Sequence, residues 1–253
     1  MFFKSITFFF ILLCYSNSQT SYGPVFKNIK VSQPVGLHTG TLIFLHWFGG
    51  TTTWWLLLYK QFIPSYIKSI FPTARADLSR NLYYLPVPSW YQTIVPISLN
   101  NPEDIGGIRN AVEHVQQLIY SEMSNGIPSE RIMLAGISQG GALALVAGLT
   151  FPHPLAGIVA QSVYLPLSTM FRDDVFVSSL INKHIPILHL QGLYDLATPL
   201  YIGLKTMSIL RRFNPNYRIH FTCSGHHPSF NVRTAGDKKL HSNHDTTVIR
   251  RNN

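Results

Sequence analysis

One pentapeptide constrains the fold of this chain more than any other feature. Residues 136–140 read GISQG, which fits the pattern G-x-S-x-G of a tight turn between a strand and a helix. Residues 131–135 (RIMLA) before it read as a short buried strand, and residues 142–149 (ALALVAGL) after it as an apolar helix. Glycines at both ends of the turn allow backbone angles and close packing that a Cβ atom would block. The sequence therefore predicts a strand–turn–helix unit that raises the Ser138 hydroxyl above a sheet.

The rest of the chain alternates between strand and helix patterns. Strands are predicted at residues 41–46, 157–160, 185–190 and 217–223, and helices at residues 54–63, 105–123 and 200–213. Residues 72–101 are rich in Pro, Tyr and Ser and are expected to form a long loop over the domain. This alternation is typical of an α/β fold, with a mostly parallel central sheet covered by helices on both faces.

The length and charge of the chain limit the number of domains and the kinds of partner that are expected. A chain of 253 residues suits one α/β domain with a single large core. The net charge is +9, but the basic residues form scattered pairs without interleaved aromatic residues or zinc-ligand spacing, so nucleic acid is not an expected partner. A basic surface mildly favours a transient contact with an anionic membrane. The oligomeric state is not predicted.

The two ends of the chain differ from its centre. Residues 1–18 combine a weakly basic start, an apolar run and small residues at 16–18, which indicates a cleaved signal peptide and a secreted protein. An uncleaved N-terminal membrane anchor is the alternative, although the apolar run is short for a membrane span. The folded α/β domain is then expected over residues 19–227. Residues 228–253 form a polar tail that is predicted to be disordered or an altered terminus.

Candidate catalytic residues follow the predicted strands. Ser138, Asp195 and the pair His226–His227 each come after a strand, and the carboxyl ends of parallel strands meet at one edge of a sheet. Ser, then acid, then His is the chain order of α/β-hydrolases. A serine hydroxyl needs a base to take its proton, and a carboxylate would hold that imidazole in the right tautomer.

Such a nucleophile also needs donors for the oxyanion that forms on its substrate. The backbone N–H after the nucleophile, at Gln139, is one candidate. The other is the N–H of Phe48, in the loop after the first predicted strand.

Several segments resemble a known family in the same order along the chain. The matching segments are residues 42–46 (LIFLH), 87–91 (VPSWY), 125–132 (NGIPSERI), 136–143 (GISQGGAL), 164–167 (YLPL) and 192–200 (GLYDLATPL). They resemble the strand before H-G-L-G-D, then P-S-W-[FY], G-I-P-x-x-R-I, G-F-S-Q-G-G-A-L, W-L-P-L and G-D-x-D-x-x-V-P of the phospholipase/carboxylesterase family. That family comprises acyl-protein thioesterases and lysophospholipases of the α/β-hydrolase fold.

The resemblance implies hydrolysis of acyl esters and thioesters without a metal or cofactor. It implies Ser138 and Asp195 as catalytic residues and an apolar channel for the acyl chain. The expected substrates are small acyl esters, lysolipids or acylated proteins.

The chain departs from the family at three places. Trp47 replaces a glycine beside the oxyanion donor, and residues 228–253 show no stripe of the family's closing amphipathic helix. In the family, the catalytic histidine is the last residue of the motif G-M-M-H or G-M-G-H, whereas residues 225–228 of this chain read GHHP. Aligning Ile219 and Phe221 with the family's last strand selects His227, which is the predicted base; aligning the Gly–His pair selects His226.

Two functions are compatible with these residues. The leading prediction is a serine hydrolase that cleaves acyl esters or thioesters through an acyl-serine intermediate. The alternative is a catalytically weak lipid-binding or interaction protein on the same fold, which Trp47 and the unusual C-terminus would favour.

Overall fold

A seven-stranded sheet organises the protein. The computed structural model describes residues 26–53, 63–79 and 85–226. The strands in these residues are β1 (Phe26–Ser32), β2 (Gly40–Leu45), β3 (Ile67–Ala74), β4 (Ala76–Ser79), β5 (Leu85–Pro88), β6 (Ile132–Ile137), β7 (Gly157–Gln161), β8 (Ile187–Gly192) and β9 (Tyr217–Thr222). The large sheet has the order β1-β3-β2-β6-β7-β8-β9, and only the β1–β3 pair is antiparallel. β4 and β5 form a separate antiparallel hairpin.

Helices follow the strands as the alternating pattern predicts. The α-helices that lie wholly within the described residues are α1 (Ile105–Ser124), α2 (Gln139–Leu149), α3 (Asp174–Ser179) and α4 (Leu200–Leu210). Short 3₁₀ helices cover Ser129–Arg131, Met170–Arg172 and Ile181–His184. The predicted α/β class is confirmed, because the sheet is mostly parallel and a helix precedes each strand from β6 to β9.

Most of the predicted elements are present, but the short helix α3 and every strand before residue 89 except β2 were not predicted. β1 and β3 were not predicted, and residues 72–101 are not a continuous loop because they contain the hairpin β4–β5. Pro72 obscures β3 in the sequence, since proline is rare inside a sheet. In the structure the register of β3 with β2 ends at Ile70, so Pro72 lies beyond that ladder. The predicted helix over residues 54–63 lies almost entirely outside the described residues.

Helix α2 forms the centre of the main core. Every one of its residues is buried, because it packs against β6 and β7 on one side and α1 on the other. This explains why its sequence is apolar all round rather than amphipathic. α1 is amphipathic and contributes Ile108, Val115 and Ile119 to the same core. The serine that begins α2 is therefore attached to the best-packed helix of the domain.

A buried ion pair ties the end of α1 to the sheet. Glu122 is buried in the last turn of α1, and its carboxylate accepts hydrogen bonds from Lys68 Nζ at 2.6 Å and Thr41 Oγ1 at 2.8 Å. The Lys68 and Glu122 side chains are 16% and 3% exposed, respectively. A buried carboxylate without its cation is costly, so this contact holds α1 against β2 and β3.

Replacing Lys68 by methionine tests this contact. Lys68→Met keeps most of the aliphatic stem but leaves His38, 3.9 Å away, as the basic side chain beside Glu122. We expect a loss of about 3 kcal/mol in the free energy of unfolding, measured by urea denaturation. The exposed pair Arg212–Asp174, with a contact of 3.0 Å, provides the control. Arg212→Met should cost less than about 1 kcal/mol. Equal losses in both variants would contradict a structural role for the buried pair.

Candidate active site

Ser138 occupies a strained turn between β6 and α2. Its backbone has φ 52° and ψ −122°, a positive φ that residues with a side chain rarely adopt. Its N–H donates to the carbonyl of Gln161 at 2.8 Å, which holds the turn against the end of β7. Such strain persists only where the surrounding structure enforces it, and it is concentrated at functional sites. The predicted strand–turn–helix unit is confirmed.

The glycines of the turn are required by close packing rather than by their dihedral angles. Neither Gly136 nor Gly140 has a positive φ. A Cβ atom on Gly136 would lie 2.5 Å from the carbonyl carbon of Gly140. A Cβ atom on Gly140 would overlap the backbone oxygens of Leu45 and His46. The turn thus rests directly on the end of β2.

The side chain of Gln139 fastens a second segment to the turn. Its Nε2 donates to the carbonyl of Tyr91 at 2.7 Å, and its Oε1 accepts from the N–H of Trp90 at 3.1 Å. The indole N–H of Trp90 in turn donates to the carbonyl of His46 at 2.7 Å. The P-S-W-Y segment is therefore a brace between the serine turn and the loop after β2.

His46 sets the orientation of the loop that contains the predicted oxyanion donor. Its Nε2 accepts from the N–H of Ala74 at 2.9 Å, so the ring proton lies on Nδ1, which donates to the carbonyl of Trp47 at 2.7 Å. Burial lowers the pKa of His46 to about 4, against the opposing effect of its bond to Trp47, so the ring is neutral at pH 7. In a planar trans peptide the C=O and the following N–H point in opposite directions. His46 thereby fixes the direction of the Phe48 N–H.

Asp195 lies buried in the loop after β8. Its Oδ1 accepts from the N–H groups of Ala197 and Thr198 at 2.9 and 2.8 Å. The Nδ1 of His226 lies 2.9 Å from both carboxylate oxygens. Burial raises the pKa of Asp195, but hydrogen bonds from His226 and Thr198 outweigh it, so the pKa is lower than the usual value. Asp195 is therefore an ionised partner for an imidazole.

Two adjacent strands bring His226 to Asp195. β8 and β9 are parallel neighbours, and their pairing continues beyond them, since the Tyr194 N–H donates to the carbonyl of Ser224 at 3.0 Å. Gly192 allows this approach, because a Cβ atom there would lie 2.6 Å from the Ser224 oxygen. His226, the alternative in the sequence analysis, is thus the histidine in contact with the acid. His227, the predicted base, lies outside the described residues.

Sequence reasoning missed the residues at the end of β7. Gln161 accepts the Ser138 N–H, and Ser162 is fully buried with its Oγ 3.3 Å from the carbonyl of His226. The available signal was a pair of polar residues directly after the predicted strand 157–160. Both lie between the serine and the Asp195–His226 pair.

Metal-ligand clusters and membrane-spanning helices are both absent from the described residues. Within these ranges, no cluster of three or more His, Cys, Asp or Glu side chains has the arrangement of a metal site. No helix found there combines the length and apolar character that a membrane crossing requires.

Comparison with known proteins identifies the family. Residues 27–235 match the model of the phospholipase/carboxylesterase family. The chain belongs to this family. It is an acyl-ester or thioester hydrolase, as its curated relatives are. Acyl-protein thioesterase 1 of Schizosaccharomyces pombe is 36% identical over 162 residues, or 64% of this chain and 70% of the relative. Acyl-protein thioesterase 1 of Neurospora crassa is 33% identical over 196 residues, or 74% and 79%.

Solved structures of similar proteins support the fold. Acyl-protein thioesterase 2 of Zea mays superimposes with a TM-score of 0.71 at 23% identity, covering 79% of this chain and 92% of that one. The Bacillus cereus carboxylesterase superimposes with a TM-score of 0.62 at 15% identity, covering 87% and 92%.

The tryptophan that departs from the family's oxyanion loop is accommodated by packing. The Trp47 side chain lies against a small apolar cluster that contains Phe44, Phe71 and Ile137. Its carbonyl accepts from both His46 Nδ1 and the Gly50 N–H, the latter at 2.9 Å. The loop after β2 is thus held in place by hydrogen bonds to its backbone, while the Trp47 side chain packs against the core.

A methyl group at Gly140 tests the packing of the turn on β2. Gly140→Ala should separate the turn from the Leu45 and His46 carbonyls, so we expect loss of active-site labelling together with destabilisation of several kcal/mol, as for overpacked cores. Thermal unfolding and labelling with a fluorophosphonate probe are the measurements. Gly126 is the control, since nothing lies within 4 Å of its Cβ position and only its φ of 90° opposes a side chain. Gly126→Ala should cost about 1 kcal/mol and leave labelling unchanged.

Proposed function

We propose that this hydrolase acts through Ser138 as nucleophile, His226 as general base and Asp195 as the residue that orients the base. The observation that carries the proposal is the pair His226–Asp195, with contacts of 2.9 Å, at the same sheet edge as the strained serine turn. His226 replaces His227, the base preferred from the sequence, in this proposal. It is supported by the Nδ1 contact, which leaves Nε2 as the ring nitrogen to act on the serine.

The proposed reaction has two halves. His226 Nε2 takes the proton of Ser138 Oγ as the oxygen attacks the acyl carbon, and the resulting imidazolium is stabilised by Asp195. The tetrahedral intermediate collapses with cleavage of the C–O or C–S bond, and His226 returns its proton to the leaving alcohol or thiol. Water, deprotonated by the same imidazole, then hydrolyses the acyl-serine and releases the carboxylic acid.

The oxyanion is proposed to bind the backbone N–H groups of Gln139 and Phe48. Gln139 is the first residue of α2, and the first N–H groups of a helix have no partner inside it. The Phe48 N–H is supported as the second donor by the hydrogen bonds that His46 and Gly50 make to the same peptide unit. Each donor of this kind contributes about 3 kcal/mol to stabilising the transition state.

Apolar surfaces beside the site support lipid-like acyl groups as substrates. Tyr194 and Leu196, on either side of the buried Asp195, are 71% and 85% exposed and present apolar surface beside the site. The hydrogen bond from Ile97 N–H to the Ala197 carbonyl, at 2.9 Å, joins this loop to residues 92–101. That segment lines a cavity of about 220 Å³, whose walls combine apolar side chains such as Ile108, Ile202 and Ile209 with the charged side chains of Glu103, Asp104 and Lys205. Ser138, Asp195 and His226 are not among its lining residues.

The substrate is therefore proposed to be an acyl ester or thioester with an extended apolar chain, carried by a lysolipid or an acylated protein. The relatives named acyl-protein thioesterase support the second carrier. The exposed side chains of Tyr194 and Leu196 would also allow a transient contact with a lipid surface.

Active-site labelling tests the catalytic assignment. The protein should react covalently with a fluorophosphonate probe at Ser138, located by mass spectrometry, and Ser138→Ala should abolish both labelling and hydrolysis of p-nitrophenyl esters. His226→Ala should lower kcat by about 10⁴-fold or more, as loss of a triad base does. His227→Ala is the matched control and should retain at least about a tenth of the activity.

Three results would contradict the proposal. Labelling at another residue would exclude Ser138, and a larger loss in His227→Ala than in His226→Ala would reassign the base. Folded protein that binds acyl chains but shows no turnover above background would favour the lipid-binding alternative.

The N-terminal segment extends the proposal to location. We propose that residues 1–18 are removed on secretion, on the basis of their sequence pattern alone. Protein expressed with its full N-terminus in a secreting eukaryotic host should appear in the medium with Gln19 as its first residue, as read by N-terminal sequencing. Retention in the membrane fraction with residue 1 intact would support an anchor instead.

A further inference from the structure

The end of β7 lies between the two halves of the proposed catalytic machinery. In the sheet, β7 is the strand between β6, which leads to Ser138, and β8, which leads to Asp195. Backbone bonds extend this arrangement beyond the strands. The Gln161 carbonyl accepts the Ser138 N–H at 2.8 Å, and the Ser162 N–H donates to the Leu190 carbonyl at 2.7 Å.

The Ser162 side chain points to the acid–base pair. Its Oγ donates to the carbonyl oxygen of His226 at 3.3 Å. Ser162 is fully buried, so water does not compete for this hydroxyl. Removal of a buried donor therefore leaves its acceptor without that hydrogen bond, at a cost that water does not offset.

The backbone of Ser162 is strained in the same sense as that of Ser138. Its φ is 51°, a region that favours glycine, and yet a side chain is present. Glycine would adopt this conformation without strain, so the hydroxyl is retained at a conformational cost. Strain of this kind at the carboxyl end of a central strand suggests a role in function.

We propose that Ser162 is a positioning residue of the active site, whose hydroxyl donates to the His226 carbonyl and so holds the His226 backbone in the geometry that the base requires. This inference rests on the proposed function. Ser162 does not touch the reacting atoms; it acts through His226. A catalytic group displaced by about 1 Å loses much of its effect, so a fixed backbone at His226 keeps the imidazole in place relative to Asp195 and Ser138.

Two substitutions separate the hydroxyl from the backbone. Ser162→Ala removes the hydroxyl and keeps the strain, whereas Ser162→Gly removes the hydroxyl and relieves it. Both variants should lose roughly 10- to 100-fold in kcat, the order expected when the donor of a buried hydrogen bond is removed and its acceptor stays. KM should stay within about twofold, because the acyl site is unchanged. In thermal unfolding, the Gly variant should be more stable than the Ala variant, because glycine adopts the positive φ without strain.

A second buried serine gives a matched control. Ser224 lies two residues before His226, and its hydroxyl bonds to Thr222 Oγ1 at 2.6 Å. Ser224→Ala should retain kcat within about threefold of the wild-type value, since exchanging this hydroxyl leaves Asp195 and His226 in place.

The outcomes are distinct. Equal losses of kcat in the Ala and Gly variants, together with a higher stability of the Gly variant, would support the positioning role. Wild-type kcat in both variants would overturn it. An active Gly variant beside an impaired Ala variant would also overturn it, because the loss of kcat would then reflect the lower stability of the Ala variant. A rise in KM at unchanged kcat would also overturn it. If the wild-type protein itself is not labelled at Ser138, the proposed function has failed, whereas normal labelling with unaffected Ser162 variants refutes only this inference.

Discussion

The close packing of the serine turn on the end of β2 is the constraint on which the site depends. Gly140 lies against the carbonyls of Leu45 and His46, and only a residue without a side chain fits there. This contact places the start of α2 beside the loop that follows β2. Because α2 is buried on all sides, the turn cannot move away to relieve its strain. The positive φ of Ser138 is therefore enforced by the core.

Hydrogen bonds then distribute that rigidity to neighbouring segments. Gln139 holds the backbone of residues 89–91, and Trp90 returns a bond to the His46 carbonyl. His46 in turn fixes the Trp47 carbonyl, in a tautomer decided by the Ala74 N–H. These buried polar groups satisfy one another, and a fully satisfied network of this kind favours one arrangement over its alternatives. Preorganised backbone donors are what stabilisation of an oxyanion requires.

Much of the fold was predictable from local patterns. The strands β2, β6, β7, β8 and β9 and the helices α1, α2 and α4 correspond to apolar runs or helical spacing in the sequence. β3 and the hairpin β4–β5 were missed, because Pro72 and the polar, Pro-rich residues that follow it resemble a loop. β1 was missed because it is a mostly exposed edge strand without an apolar run. Pairing partners distant in sequence stabilise these strands, and no local pattern reports such partners.

By itself, the sequence determined the strand–turn–helix unit at Ser138, the α/β class and the chain order of serine, acid and histidine. These follow from periodicity, from glycines at a tight turn and from residues after strands, all of which are local. Only the tertiary structure showed that His226 contacts Asp195, why Trp47 is tolerated and that Ser162 lies between the two halves of the site. Those facts depend on the order of strands in the sheet, which is set by packing between residues far apart in the chain.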